Sequence, residues 1–131
     1  LWLREHGRSD QSVYLEPLGY IGYFSGLRMI DYPGLVAPQV VAIRREKHTD
    51  MVGTAMEIMP DWLVLRPKEI NALLNSDKRE GFQRDYVFER EFNVRESLGE
   101  HRLIPGKPFI LNDAVFAVFR RRDVPMLDPA G

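Results

Sequence analysis

Two carboxylates, Glu16 and Asp31, each follow a short apolar run, residues 13–15 and 27–30. Between them stand three glycines, Gly19, Gly22 and Gly26, interleaved with Tyr20, Tyr23 and Phe24. A pair of carboxylates can divide general acid and base work, hold a divalent cation, or accept hydrogen bonds from sugar hydroxyls. Aromatic rings beside carboxylates suit a carbohydrate, which stacks its C–H faces on them. The rings of Tyr14, Tyr20, Tyr23, Phe24 and Tyr32 are equally what a packed core uses. A strand-end carboxylate also caps the turn that follows it, and Asp31 precedes a Tyr32-Pro33-Gly34 turn signal. Glu16, Tyr20, Tyr23 and Asp31 are the candidate ligand-binding residues.

Such residues need elements that bring them together. Residues 13–16 and 28–32 predict two strands, joined by a tight glycine-rich helical connection whose glycines line one face at spacings of three and four. Pro38 suits the first turn of a helix running to residue 48, with a cationic end that complements the helix dipole. Asp50 is placed to cap a further short helix through Met56. The continuous apolar run 62–65, WLVL, predicts a buried strand parallel to the first two. Pro67 opens a helix carrying Ile70, Leu73 and Leu74, and residues 78–85 read as a charged surface segment. Residues 86–94 predict a strand with Tyr86, Phe88 and Phe92 on its apolar face. Residues 109–121 predict a closing antiparallel strand, with Val115, Ala117 and Phe119 on one face and Phe116 and Val118 on the other. The expectation is a single α/β domain over residues 1–131, a layered sandwich on a mixed, mostly parallel sheet of about five strands, with 123–131 a frayed tail. Glu16 and Asp31 then lie at the carboxyl ends of neighbouring parallel strands, where open α/β sheets place ligands.

Composition narrows the chemistry. Eighteen basic and nineteen acidic side chains leave a net charge of −1, which argues against a nucleic-acid partner held by bulk electrostatics. Cysteine is absent, removing thiolate nucleophiles and thiolate metal sites. His6, His48 and His101 have no metal-ligand spacing, and the serines include no nucleophile elbow. The glycines read G-x-x-G-x-x-x-G, which is neither a dinucleotide fingerprint nor a P-loop. No catalytic residue, metal or cofactor is therefore assigned. Arg120, Arg121 and Arg122 form a basic run whose default is a solvated strand end and whose alternative is contact with anionic lipid headgroups. The first residues, Leu-Trp-Leu-Arg-Glu-His-Gly, read as the last turns of a helix anchored by Trp2 and capped at Gly7. The chain is accordingly expected to be part of a longer polypeptide.

The segment VYLEPLGYIGYFSGLRMIDYPGLVAPQVV resembles the region after the last transmembrane helix of bacterial polytopic membrane glycosyltransferases that use polyprenyl-phosphate-linked sugars. The matching features are Trp2-Leu3, Gly19 through Tyr23, Asp31, Gly34-Leu35 and Pro38, over about the first third of the chain, with a weaker extension to Trp62-Leu63-Val64-Leu65. The resemblance implies an extracytoplasmic, periplasmic domain joined to the transmembrane portion of the same polypeptide. The catalytic acid of that family lies in its membrane region, so none is carried over here. What it implies is an accessory domain that binds or orients a glycan or lipid-linked acceptor. The alternatives are a free-standing small α/β enzyme using Glu16 and Asp31, and a protein-interaction module.

Overall fold

The computed structural model describes residues 2–15, 25–32, 37–93 and 115–128. The described elements are α1 (Trp2–His6), β1 (Ser12–Leu15), β2 (Arg28–Asp31), α2 (Pro38–Lys47), α3 (Met51–Ile58), β3 (Trp62–Leu65), α4 (Pro67–Leu74), α5 (Arg79–Asp85), β4 (Tyr86–Asn93) and β5 (Val115–Arg121). The strands form one sheet in the order β2-β1-β3-β5-β4. β1 is parallel to both β2 and β3, and β5 is antiparallel to both β3 and β4. The chain is thus an α/β protein built on a mixed five-stranded sheet, as the strand and helix signals require.

Side-chain alternation divides the strands between two cores. On one face Tyr14, Ile30, Leu63, Leu65, Ala117 and Phe119 meet Val40 of α2, Val52 and Ala55 of α3, Leu73 of α4 and Phe82 of α5. On the other, Val13, Leu15, Trp62, Val64 and Val118 meet Leu3 of α1, with Trp2, Phe92 and Phe116 packed beside them. β3 is covered on both faces, which is why it reads as an unbroken apolar run.

The helix starts follow local chemistry. The Asp50 carboxylate accepts the Gly53 N–H at 2.8 Å and caps α3. Pro67 opens α4, and the Glu69 carboxylate reaches back to the Arg66 N–H. Residues 78–85, expected as a surface segment, contain α5. Its single apolar residue gives no helical period, and its position is secured by Phe82, whose ring meets Phe119 at 5.0 Å and Tyr86 at 5.9 Å.

Three further expectations are revised. A bulge between Phe88 and Arg90 inserts one residue into β4. Phe92, expected on the face of Tyr86 and Phe88, is therefore turned to the second core, 6.4 Å from Trp2. Gly7 does not adopt the left-handed conformation; a Cβ there would lie 2.9 Å from the Leu3 carbonyl and 3.1 Å from the Leu27 side chain. Residues 123–128, expected to fray, are tied down. The Leu127 N–H donates to the His6 carbonyl at 2.7 Å, Gln11 donates to the Pro125 carbonyl at 2.9 Å, and Val124 is buried.

Candidate site at the carboxyl edge of the sheet

The strand order reverses beside β1: the first crossover places β2 on one side of it and the second places β3 on the other. In open α/β sheets the carboxyl edge at such a switch point leaves a crevice between crossovers that run in opposite directions. Here β1 ends at Leu15, opposite Asp31 at the end of β2. Glu16 is next in the chain after Leu15, and Arg66 is next after the end of β3.

Arg66 and Glu69 are both buried, at 8% and 6% exposure. The guanidinium Nε donates to Glu69 Oε1 at 2.7 Å while the backbone N–H of Arg66 donates to Oε2 at 2.5 Å. An ion pair taken out of water in this way is stabilising only while both partners remain. Close by, Pro67, Ile70, Asn71, Glu91, Val115 and Ala117 line a hollow of about 240 Å³. It is smaller than the roughly 300–1,000 Å³ of a drug-sized site. Among the described residues, Asn71 and Glu91 are its polar lining and Ile70, Val115 and Ala117 its apolar lining.

The opposite edge of the sheet has a different character, because its polar groups are bonded to one another. Asp61 accepts from the Ser12 N–H at 2.7 Å, the Ser12 hydroxyl at 3.0 Å and Arg121 at 3.1 Å. The Gln11 side-chain oxygen accepts from the Trp62 indole at 2.8 Å and the Arg8 N–H at 3.0 Å. These bonds lock β1, β3 and β5 in register and leave little polar capacity for a ligand.

Among the sequence candidates, Asp31 is fully enclosed, at 0% exposure, and Glu16, Tyr20 and Tyr23 lie outside the described residues, as does His101. Tyr14 is a core residue whose hydroxyl donates to the Met51 carbonyl at 2.8 Å. Tyr32 is half-buried beneath Arg44, whose guanidinium carbon sits 4.5 Å from the ring centre. His6 stacks on Trp2 at 4.2 Å and bonds the Trp2 carbonyl. Among the described residues no three His, Asp or Glu side chains are grouped to hold a metal ion, and no helix is long and apolar enough to cross a membrane.

The basic run at residues 120–122 is committed to the fold. Arg120 pairs with Glu89 at 2.8 Å, Arg121 with Asp61 and Asp123 and with the Met59 carbonyl, and Arg122 with the Gln83 carbonyl at 3.3 Å. Instead, Val41, Arg44, Arg45, His48 and Thr49 line a larger groove of about 590 Å³. Two features escaped the sequence reading. The Arg66–Glu69 pair was visible only as a capping spacing before a helix, and the α2 groove only as cations three and four residues apart.

One family model matches, over residues 1–119, and its description is Domain of unknown function (DUF8728). No curated protein and no solved structure matches the chain.

Proposed function

We propose that this chain, which belongs to DUF8728, is a non-catalytic accessory domain of a larger membrane glycosyltransferase, presented on the extracytoplasmic face. On this reading the carboxyl edge of its sheet receives a glycan or lipid-linked acceptor. The observation that supports it is the parallel register in which Leu15 faces Asp31. It brings the ends of the two carboxylate-bearing runs to one edge, beside a strand-order reversal. The motif resemblance is the ground for the membrane enzyme, and the register supports this edge as the place where its acceptor would bind.

A free-standing enzyme using Glu16 and Asp31 needs both carboxylates in one open cleft. The complete enclosure of Asp31 favours the accessory reading over it. An acid or base must reach its substrate within hydrogen-bond distance.

An antibody raised against this chain tests the reading in the source cells. The expected antigen is a polypeptide much larger than 15.2 kDa, resistant to carbonate extraction from membranes and cleaved by protease added to spheroplasts. A soluble antigen of the chain's own size overturns it. So does hydrolysis of a polyprenyl-phosphate sugar or nucleotide sugar by the purified chain, abolished in Asp31→Asn.

A further inference from the structure

We propose that the face of α2 formed by Val41, Arg44, Arg45 and His48, closed by Thr49, is a binding site for a phosphate ester. These five residues line the groove of about 590 Å³. Positions 41, 44, 45 and 48 are spaced by three and four, so the first three share one side of the helix and the fourth caps it on that side. His48 takes the left-handed conformation, φ 52°, as its N–H closes on the Arg44 carbonyl at 3.0 Å.

The cations are fixed or available as an anion site requires. Arg44 is held from beneath, its guanidinium over the Tyr32 ring at 4.5 Å and its Nη1 3.4 Å from the Tyr32 carbonyl. Planar guanidinium groups match phosphate oxygens in pairs, and one already positioned loses less freedom on binding. Arg45 and His48 are exposed, and neither side chain has a hydrogen-bond or ion-pair partner among the described residues. The Thr54 hydroxyl donates to the Asp50 carbonyl at 2.6 Å and also bonds Thr49 at 2.7 Å. The Thr49 proton is thereby committed to Thr54, so Thr49 is a fixed wall. The donors to the ligand are the two guanidinium groups and the His48 ring.

The neighbouring acids are engaged elsewhere. Glu46 falls on the opposite side of α2 by helical periodicity. Glu57 pairs with Lys47 at 2.8 Å, and the Asp50 carboxylate caps α3. Complementing the helix dipole accounts for cations in a last turn. It does not account for a groove that gathers two of them and the His48 ring around a hollow, one stacked on an aromatic ring. The dipole opposes an anion here with about half a charge, against two full guanidinium charges.

The full chain, ¹⁵N-labelled, is titrated with inorganic phosphate at constant ionic strength. The expected result is saturable shifts confined to Val41, Arg44, Arg45, His48 and Thr49. The affinity falls at least about tenfold, the equivalent of about 1.4 kcal/mol, in the double variant Arg44→Gln/Arg45→Gln. It is unchanged in the charge-matched control Lys68→Gln/Arg79→Gln. Flotation with phosphatidylglycerol vesicles, against phosphatidylcholine vesicles, then separates the sources. Flotation with the former alone, lost in the double variant, assigns the phosphate to a lipid headgroup. Phosphate saturation without flotation assigns it to a soluble ester. Shifts spread over all basic residues, the absence of saturation, or equal loss in the control overturns the site. Glycan binding at the sheet edge is read by a different ligand at different residues, so either result stands without the other.

Discussion

At the scale of single residues, the buried polar groups carry the sharpest consequences. Arg66 and Glu69 lie side by side with little water around them, so removing the guanidinium leaves the Glu69 carboxylate buried without its countercharge. Arg66→Met is expected to cost about 3–5 kcal/mol in urea unfolding. The double variant Arg66→Met/Glu69→Leu is expected to be less destabilised than that single change, because it removes the buried Glu69 charge as well. Equal loss in both would locate the cost in the lost packing of the Arg66 side chain instead. Tyr86 gives a pH-dependent case. Its hydroxyl donates to the Pro60 carbonyl at 2.6 Å, and burial pushes the phenol above its ordinary value of 10.0. The unfolded chain then releases this proton near pH 10 while the folded chain retains it. Stability is therefore complete below that pH and falls as the pH rises through and beyond it. Tyr86→Phe is expected to lose about 1 kcal/mol at neutral pH and to reduce the decline above pH 10, measured as urea midpoints across the range.

At the scale of elements, β4 shows how one inserted residue changes what a strand presents. Strict alternation puts Tyr86, Phe88 and Phe92 on one face, and the bulge at Glu89 moves Phe92 to the other. The same insertion lets Glu89 meet Arg120 at 2.8 Å. Glu89→Ala removes only that pair and is expected to cost about 1 kcal/mol. Deleting Glu89 removes the extra residue and leaves Arg90 to Asn93 in the same register against β5, so Phe92 stays beside Trp2 and the cost is expected to match that of Glu89→Ala. The Trp2 and Trp62 fluorescence should be unchanged. A fluorescence shift toward exposed indole, or a deletion costing at least about 2 kcal/mol more than the alanine substitution, would show that the extra residue is needed to hold Phe92 in the second core. α5 teaches the complementary lesson, since one phenylalanine at the right contact holds a helix that its own sequence does not announce.

At the scale of the whole molecule, two cores share the single sheet, with β3 covered on both faces. Damage to either core should therefore appear in one common unfolding transition. Leu63→Ala in the first core and Leu15→Ala in the second are each expected to cost about 2–5 kcal/mol. Both should move the same urea midpoint, by fluorescence and by circular dichroism alike; separate transitions for the two probes would show that the faces unfold independently. The sheet also has unlike edges. The amino edge is closed by Asp61, Gln11 and Arg121, and the carboxyl edge is where the chain departs after Leu15, Tyr32 and Asn93.

By themselves, the residues determined the fold class, the boundaries of β3 and α4, the Asp50 cap and the two faces of β5. Each of these depends on short-range periodicity or capping, which a linear sequence displays. Tertiary structure alone decided that Asp31 is enclosed, that Arg120 and Arg121 are paired inward and that Phe92 changes face. It also gathered Arg44, Arg45 and His48 around a groove. These outcomes depend on which distant groups arrive beside a side chain and how much water they displace, and neither is written in the spacing along the chain.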